Sequence, residues 1–233
     1  MKLLIVAATF PEIKPLVLSL GEDKANEPGI KTIHYRQASI DILITGVGLM
    51  HTAYLMGKIL ANNTYNLALQ FGIAGSFRKD LAPGMTVNVV EEVVADFGAE
   101  DKENFLDATE LHLLPPDQFP YHAGKLMNTT PDSAHGASGL KKAKGISVNK
   151  VHGYQDSIDR IIKKYQPDIE SMEGAAFFYA CLMERIPCLQ IRTISNYIED
   201  RNKGRWNVPL AIDNLNTIAL KIIHHNYLAL MQS

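Results

Sequence analysis

IESMEGAAFFYACLMERIPCLQIRTISN, residues 169–196, is the stretch that decides the predicted fold. Residues 174–183 are small or apolar and mostly good helix formers, which predicts a buried helix. Residues 188–194 then have the length and β-branched content of an interior strand. In a parallel α/β unit the start of a helix and the end of the following strand lie on the same edge of the sheet, where open sheets bind ligands. We therefore expect Glu173 and Asn196 to be neighbours in space.

The rest of the chain alternates strands and helices in the same way. Apolar spacing predicts helices at residues 10–20, 49–60, 157–165 and 209–230, and strands at residues 2–8, 33–37, 40–45, 67–71, 85–94 and 146–151. The segment 96–121 is polar and proline-containing, which predicts a surface excursion or a lid. The alternation predicts one α/β domain over residues 1–233, a three-layer α/β/α sandwich around a central mixed, mostly parallel twisted sheet.

The composition limits the kinds of partner that this chain can have. Of 233 residues 46% are apolar, and the formal net charge is −2 without a long basic block. The sequence therefore gives no electrostatic case for nucleic-acid binding. No run approaches the ~18 consecutive apolar residues that a membrane span needs, and Cys181 and Cys188 suggest no disulfide framework. We expect a soluble, cytoplasmic protein with no nucleic-acid and no membrane partner.

Two glutamates on the predicted ligand edge are candidates for chemistry. Glu12 follows the first strand, but Thr9-x-x-Glu12 also matches the capping box, in which the glutamate only fixes the start of the helix. Glu173 has an alternative role as well, because the helix dipole favours a carboxylate in the first turn. Each residue alone leaves both interpretations open. Together with Arg192 and Asn196 they predict a polar pocket.

Other familiar motifs are incomplete or absent. Residues 46–48 read Gly-Val-Gly, as in a dinucleotide-binding fingerprint, but His51 stands where the third glycine belongs. The eight histidines, His152 among them, have no metal-ligand spacing, so we expect them on the surface or in loops. Ser76 and Ser195 lack a G-x-S-x-G setting. The sequence thus gives no support to a Rossmann cofactor site, a metal centre or a serine hydrolase.

The motifs at the strand ends carry a resemblance to a known family. They are LLIVAATFPE (3–12), ITGVG (44–48), FGIAG (71–75), SMEGAA (171–176) and RTISN (192–196). On these motifs the chain resembles the nucleoside phosphorylase and nucleosidase superfamily over nearly its whole length. The resemblance is greatest to the hydrolytic branch, which contains the methylthioadenosine/adenosylhomocysteine nucleosidases and the futalosine hydrolases. It implies a homodimer or higher homo-oligomer that acts on a small purine nucleoside without a metal or an organic cofactor.

The resemblance also implies a role for each matched site residue. Glu12 would be the base that holds the attacking water, and Arg192 would help to order that water. Met172 and Glu173 would engage the ribose and its 2′ and 3′ hydroxyls, while Asn196 would face the purine. The expected substrate-binding set is completed by Gly72, Ile73 and Ser195.

Two departures from the family pattern bear on the reaction. Adenine nucleosidases have an aspartate at the position of Asn196, whose amide instead offers two donors and one acceptor and suits a 6-oxopurine. Phosphorylases bind phosphate with an arginine after the first strand, where this chain has Glu12, which would repel phosphate and favour water. The departures imply release of hypoxanthine by hydrolysis, as in the futalosine hydrolases of menaquinone biosynthesis.

Two further departures concern the ribose side of the expected pocket. Ser171 replaces a glutamate, and Ile73 stands where the adenine nucleosidases often have a serine, so the ribose hydrogen bonds are expected to be arranged differently. Three alternatives stay open at this point: an adenine nucleosidase, a purine nucleoside phosphorylase and a non-catalytic nucleoside-binding module. The presence of both glutamates, Glu12 and Glu173, disfavours the last of these.

Overall fold

The structure is a computed structural model that describes residues 1–21, 29–35, 38–200 and 203–230. Its elements are β1 (Lys2–Ala7), α1 (Phe10–Ser19), β2 (Gly29–Tyr35), β3 (Ala38–Ile44), α2 (Leu49–Leu60), β4 (Leu67–Ser76), β5 (Thr86–Val94), β6 (Gly98–Asp101), β7 (Asn104–Asp107), β8 (Tyr121–His122), β9 (Lys125–Met127), β10 (Lys141–Ser147), α3 (Gln155–Tyr165), β11 (Ile169–Ser171), α4 (Gly174–Met183), β12 (Cys188–Tyr197) and α5 (Val208–Leu230). Helices α2 and α4 have the predicted bounds. The ends of α1, α3 and α5 differ from the predicted ones by only one or two residues.

The main sheet is mixed, and part of it closes on itself. Its strands follow the order β2-β3-β1-β4-β11-β10-β5-β9-β8. Strand β12 pairs parallel to β4 and antiparallel to β5, so β4, β11, β10, β5 and β12 form a ring of pairings. The α/β class and the mixed sheet are confirmed. Within the described residues, this sheet has five parallel pairings (β1–β3, β1–β4, β4–β12, β5–β10 and β10–β11) and five antiparallel ones.

Alternate residues of β1 point into two separate hydrophobic clusters. Leu3 and Ile5 join a cluster that includes residues of α1 and α5, whereas Leu4 and Val6 join one that includes residues of α2 and α4. The helices of each pair also pack against each other. Strand β1 lies between two parallel neighbours and is buried on both faces, which explains its continuous apolar sequence.

Strands β4 and β12 run beyond their predicted ends. The glycine-rich residues 72–75 predict a turn, yet β4 continues through them to Ser76 because they pair with β12. Asn196 likewise lies within β12 and not after it. The register of the two strands shifts between Ile194 and Asn196, which is a bulge of the kind that re-aims side chains beside an active site.

Other strand predictions also need correction. Strand β2 covers 29–35, and residues 36–37 of the predicted strand lie outside the described residues. Strand β10 starts at Lys141 and not at residue 146, and the short strand β11 was not predicted. The segment 96–121 is not irregular throughout, because β6 and β7 form a hairpin in it. Among the described residues, no helix has the length and apolar character needed to cross a membrane.

Candidate active site

A cavity of about 450 Å³ opens beside the ends of β1 and β12. Its volume is in the range of pockets that hold small organic ligands. Six of the residues predicted for the site line it, namely Glu12, Ile73, Met172, Glu173, Ser195 and Asn196. The helix start and the strand end of residues 169–196 therefore meet at one cavity, as their order in the chain predicts. Residues 96–121 contribute nothing to its lining.

Glu12 is held by backbone and hydroxyl donors on both of its carboxylate oxygens. Oε2 accepts hydrogen bonds from the backbone N–H of Thr9 at 2.9 Å and from Thr9 Oγ1 at 2.8 Å, and Oε1 accepts one from the N–H of Ile73 at 3.2 Å. The capping interaction is thus present, and the same carboxylate also faces the cavity. Burial raises the pKa of Glu12 above its usual value, while the hydrogen bond from Thr9 and the charge of Arg192 oppose that rise.

Glu173 is fixed between a glycine turn and a buried arginine. Its Oε1 accepts a hydrogen bond from the N–H of Gly48 at 3.1 Å, and its Oε2 lies 3.4 Å from Arg192 Nη1. Gly48 has a positive φ of 102°, which a glycine adopts without strain. The Gly-Val-Gly run therefore positions a carboxylate.

Arg192 lies behind the cavity wall, with only 1% of its surface exposed. A methyl group on Gly72 would lie 2.3 Å from Arg192 Nη1 and 3.3 Å from Glu12 Oε1, so the missing side chain of Gly72 leaves room for both charged groups. Arg192 and Gly72, predicted as substrate-binding residues, do not line the cavity. Within the described residues, Arg192 Nε and Nη2 are buried without a hydrogen-bond partner.

Asn196 reaches the cavity with a side chain that is already oriented. Its Oδ1 accepts a hydrogen bond from Ser195 Oγ at 2.7 Å, and its Nδ2 donates one to the carbonyl of Tyr197 at 2.9 Å. These contacts leave one N–H and one oxygen lone pair of the amide for a ligand. A methyl group on Gly75 would lie 3.4 Å from Asn196 Nδ2, so this glycine also keeps space free beside the amide.

His152 and Glu170 are cavity residues that sequence reasoning missed. His152 lies in the loop between β10 and α3, as expected, but its side chain is only 13% exposed. Its Nδ1 contacts Glu170, whose side chain is 4% exposed. The backbone N–H of His152 also donates to Glu170 Oε1 at 3.0 Å. The two residues are 18 positions apart in the sequence and belong to a short strand and a loop, so no local sequence pattern pairs them.

The cavity is strongly acidic. Four glutamates line it, Glu12, Glu170, Glu173 and Glu199, whereas no lysine or arginine of the described residues does. A ligand with several negative charges would be repelled by this lining. The arrangement instead suits a neutral molecule with hydroxyl groups, or one that develops positive charge during reaction.

Comparison with known proteins places this geometry in a family. Residues 2–224 match the model of the phosphorylase superfamily. The chain is also 31% identical to the futalosine hydrolase of Thermus thermophilus over 176 residues, which are 74% of this chain and 76% of the relative. The chain belongs to the phosphorylase superfamily and, within it, to the futalosine hydrolase family. This confirms the family that the strand-end motifs predict.

Solved structures of the superfamily share the fold. Futalosine hydrolase of Helicobacter pylori superposes with a TM-score of 0.78 at 18% identity, over 96% of this chain and 97% of that one. The 5′-methylthioadenosine/S-adenosylhomocysteine nucleosidase of the same organism, solved with a pyrrolidine-based ligand, gives a TM-score of 0.81 at 17% identity over 96% and 98%. Both likenesses concern the fold, because the identities are low.

Proposed function

We propose that this chain hydrolyses the N-ribosidic bond of futalosine, releasing hypoxanthine and dehypoxanthine futalosine for menaquinone biosynthesis. The observation that carries the proposal is the pair Glu12 and Glu173 beside one buried Arg192, with Asn196 in the same cavity. Membership of the futalosine hydrolase family supports the same substrate. No metal or organic cofactor has a part in this reaction.

The reaction begins with stretching of the bond between C1′ and the purine, which leaves positive charge on the ribose. Glu173 stabilises that charge through the ribose hydroxyls, and Met172 packs against the sugar. Glu12 holds a water and removes its proton as the oxygen attacks C1′; burial raises the pKa of Glu12, which makes it a stronger base than an exposed glutamate. The unpaired N–H groups of Arg192 give a water in this part of the protein two strong donors.

Asn196 would recognise the base. The amide N–H that is not used by Tyr197 can donate to N7 or O6 of a 6-oxopurine, both of which are acceptors. An adenine would place its amino group where hypoxanthine has O6, and one donor would then face another. Mispairing of buried groups of this kind lowers the specificity constant by up to roughly 10⁴-fold.

Water is favoured over phosphate as the nucleophile. Phosphorolysis requires cations that hold an inorganic phosphate next to C1′. The described cavity lining contains four glutamates and no lysine or arginine, and the buried Arg192 is already engaged by Glu173. Phosphate binding at Glu12 would bring two like charges together in a poorly hydrated place.

A product assay tests the proposal directly. Purified protein is incubated with futalosine, inosine and methylthioadenosine, each with and without phosphate, and the free base is quantified. We expect hypoxanthine from futalosine at a rate independent of phosphate. Faster release of adenine from methylthioadenosine would identify an adenine nucleosidase, a requirement for phosphate would identify a phosphorylase, and hypoxanthine binding without turnover would identify a binding module.

We further propose a single three-layer α/β/α domain over residues 1–233, located in the cytoplasm and assembled as a homodimer or higher homo-oligomer. The two clusters on either side of β1 support the layers. Helices α2 and α4, which pack together, carry exposed apolar side chains that support the assembly, including Met50 at 73%, Tyr54 at 66% and Met183 at 43%. Light scattering coupled to size-exclusion chromatography measures the assembly in solution.

A further inference from the structure

The His152–Glu170 pair lies in the cavity but has no part in the reaction proposed so far. Glu170 belongs to β11 and His152 to the loop between β10 and α3. Glu170 Oε1 accepts a hydrogen bond from the backbone N–H of His152, and Glu170 Oε2 lies within hydrogen-bond distance of His152 Nδ1. The two oxygens of the Glu170 carboxylate therefore hold His152 at two points, its backbone N–H and its imidazole ring.

The proposed reaction needs a proton that Asn196 cannot supply. When the bond from C1′ to the purine breaks, its electron pair moves into the base, which departs as an anion unless a ring nitrogen takes up a proton. An amide can hydrogen-bond to that charge but cannot donate a proton to it. The amide of Asn196 is moreover partly engaged, because it already contacts Ser195 Oγ and the carbonyl of Tyr197.

His152 is the residue of the described lining best suited to this task. The other acidic groups there are four glutamates, of which Glu170 holds His152, and Tyr197, whose hydroxyl donates to the carbonyl of Lys79 at 3.0 Å. A carboxylate on Nδ1 fixes the ring orientation and stabilises the charged imidazole, as in catalytic triads. Within the described residues the hydrogen bonds of His152 are made by its backbone N–H and by Nδ1, so the opposite nitrogen, Nε2, is left for a ligand.

We propose that His152 is the general acid of the reaction and that Glu170 is its positioning residue. As the C1′–N9 bond breaks, its electrons enter the purine, and the Nε2 proton of His152 passes to a purine ring nitrogen. The water oxygen bonds to C1′ while its proton passes to Glu12. Neutral hypoxanthine leaves, and the proton on Glu12 returns to His152 through solvent. This assignment rests on the proposed function.

The first test compares His152→Gln and His152→Phe with the wild type on futalosine. Loss of a general acid lowers kcat by ~10²-fold or more, and we expect KM to stay within about threefold because the group acts on the departing base. His152→Phe keeps a flat ring, so a residue that only stacks on the base would retain activity in this variant. Wild-type kcat in either variant, or a change confined to KM, overturns the assignment.

The second test uses futalosine methylated at N7. A base that carries this methyl group leaves as a neutral molecule and needs no proton, so the wild type and His152→Gln should hydrolyse it at rates within about threefold of each other. An equal loss on both substrates would show a structural role. If the wild type does not accept the methylated compound, the kcat and KM values on futalosine decide alone.

Two further variants complete the design. Glu170→Gln should lower kcat on futalosine by at least about tenfold and spare the methylated substrate, since it leaves the imidazole without its carboxylate. His122→Gln is the matched control, because this side chain is 82% exposed on β8. Thermal unfolding of each variant checks that it is folded. If the wild-type protein hydrolyses neither futalosine nor inosine, the proposed function and the role of His152 are both overturned. If the wild-type protein hydrolyses futalosine and His152→Gln does so at the same rate, only the role of His152 is overturned.

Discussion

Glu12 fixes the start of α1 and faces the cavity with the same carboxylate. The two roles can be separated in large part, because an amide oxygen still accepts both hydrogen bonds from Thr9 but the amide group cannot remove a proton from water. The amide nitrogen then faces the N–H of Ile73 and cannot accept its hydrogen bond. Glu12→Gln should therefore lower kcat for hypoxanthine release by ~10²-fold or more. It should lose about 1–3 kcal/mol of stability from the unpaired N–H of Ile73, and thermal unfolding checks that the variant is folded. Turnover close to that of the wild type would leave Glu12 with its capping role alone.

Asn196 carries the prediction of the released base. In Asn196→Asp the carboxyl keeps the hydrogen bond from Ser195 Oγ, but its second oxygen faces the carbonyl of Tyr197, so it must take up a proton or rotate toward the base. For this variant, kcat/KM for the 6-amino analogue of futalosine, divided by kcat/KM for futalosine, should rise by about tenfold or more. Asn62→Asp, in the exposed turn that follows α2, serves as the control. An unchanged ratio would mean that Asn196 does not read the base.

Among the single residues of the site, the sequence predicts those that stand at the ends of helices and strands. Glu12, Glu173 and Asn196 could be found because each lies next to a clear strand or helix signal, and the structure brings all three to one cavity. His152 and Glu170 could not be paired in the same way. Their contact depends on the parallel register of β10 with β11, and β11 is too short to give a periodic signal.

Strands β4 and β12 place Gly72 and Arg192 side by side. Gly72→Ala would put a methyl group 2.3 Å from Arg192 Nη1, and the guanidinium would have to move away from Glu12 and Glu173. We expect hypoxanthine release to fall by about tenfold or more, since a misplaced charge weakens stabilisation of the transition state. The rate of base release measures the effect.

Gly57→Ala is the matched control for this substitution. Gly57 lies in the exposed interior of α2, and a methyl group there has no atom within 4 Å. Alanine should preserve the activity and raise the stability by about 0.5–1 kcal/mol, because it restricts the unfolded chain and favours the helix. Equal activity in both variants would show that Gly72 is not needed as a space for Arg192.

Element bounds were predictable where local signals decide them. Helices α2 and α4 have the predicted ends because apolar spacing and terminal residues mark them. The glycines of residues 72–75 give a local turn signal, but pairing with β12 supplies a complete ladder and overrides it. Pairing partners are not visible in a single sequence, which is why β4 and β12 were predicted too short.

The ring of strands is the feature of the whole molecule that local patterns could not predict. Its antiparallel pairing joins Gln190 of β12 to Val89 of β5, which are far apart in the chain. This closure buries Glu92 of β5 completely, where Ser147 Oγ donates to it at 2.9 Å and Gln190 Nε2 at 2.6 Å. A methyl group on Gly174 would lie 2.1 Å from Glu92 Oε1, a distance that no side chain tolerates.

Burial at this junction raises the pKa of Glu92 to about 7, although Gln190, Arg192 and Ser147 favour the charged form, and the charge of Glu173 adds to the rise. In the unfolded chain the pKa is near 4.5. The folded protein therefore holds one more proton than the unfolded chain between these values, and its stability falls as the pH rises through them.

Glu92→Gln tests this consequence of the closed ring. The amide is neutral at every pH. The free energy of unfolding of the wild type should fall by about 3 kcal/mol between pH 4.5 and pH 8, and that of the variant should not show this fall. Urea unfolding at pH 5 and pH 8 measures it: the wild type should lose more stability over this range than the variant, and the variant should be the more stable of the two at pH 8. Glu103→Gln, in the exposed turn of the β6–β7 hairpin, is the control and should lose as much stability between pH 5 and pH 8 as the wild type. A Glu92→Gln variant that also follows the wild type would mean that Glu92 is ionised in the folded protein at pH 5, with its charge balanced by Arg192.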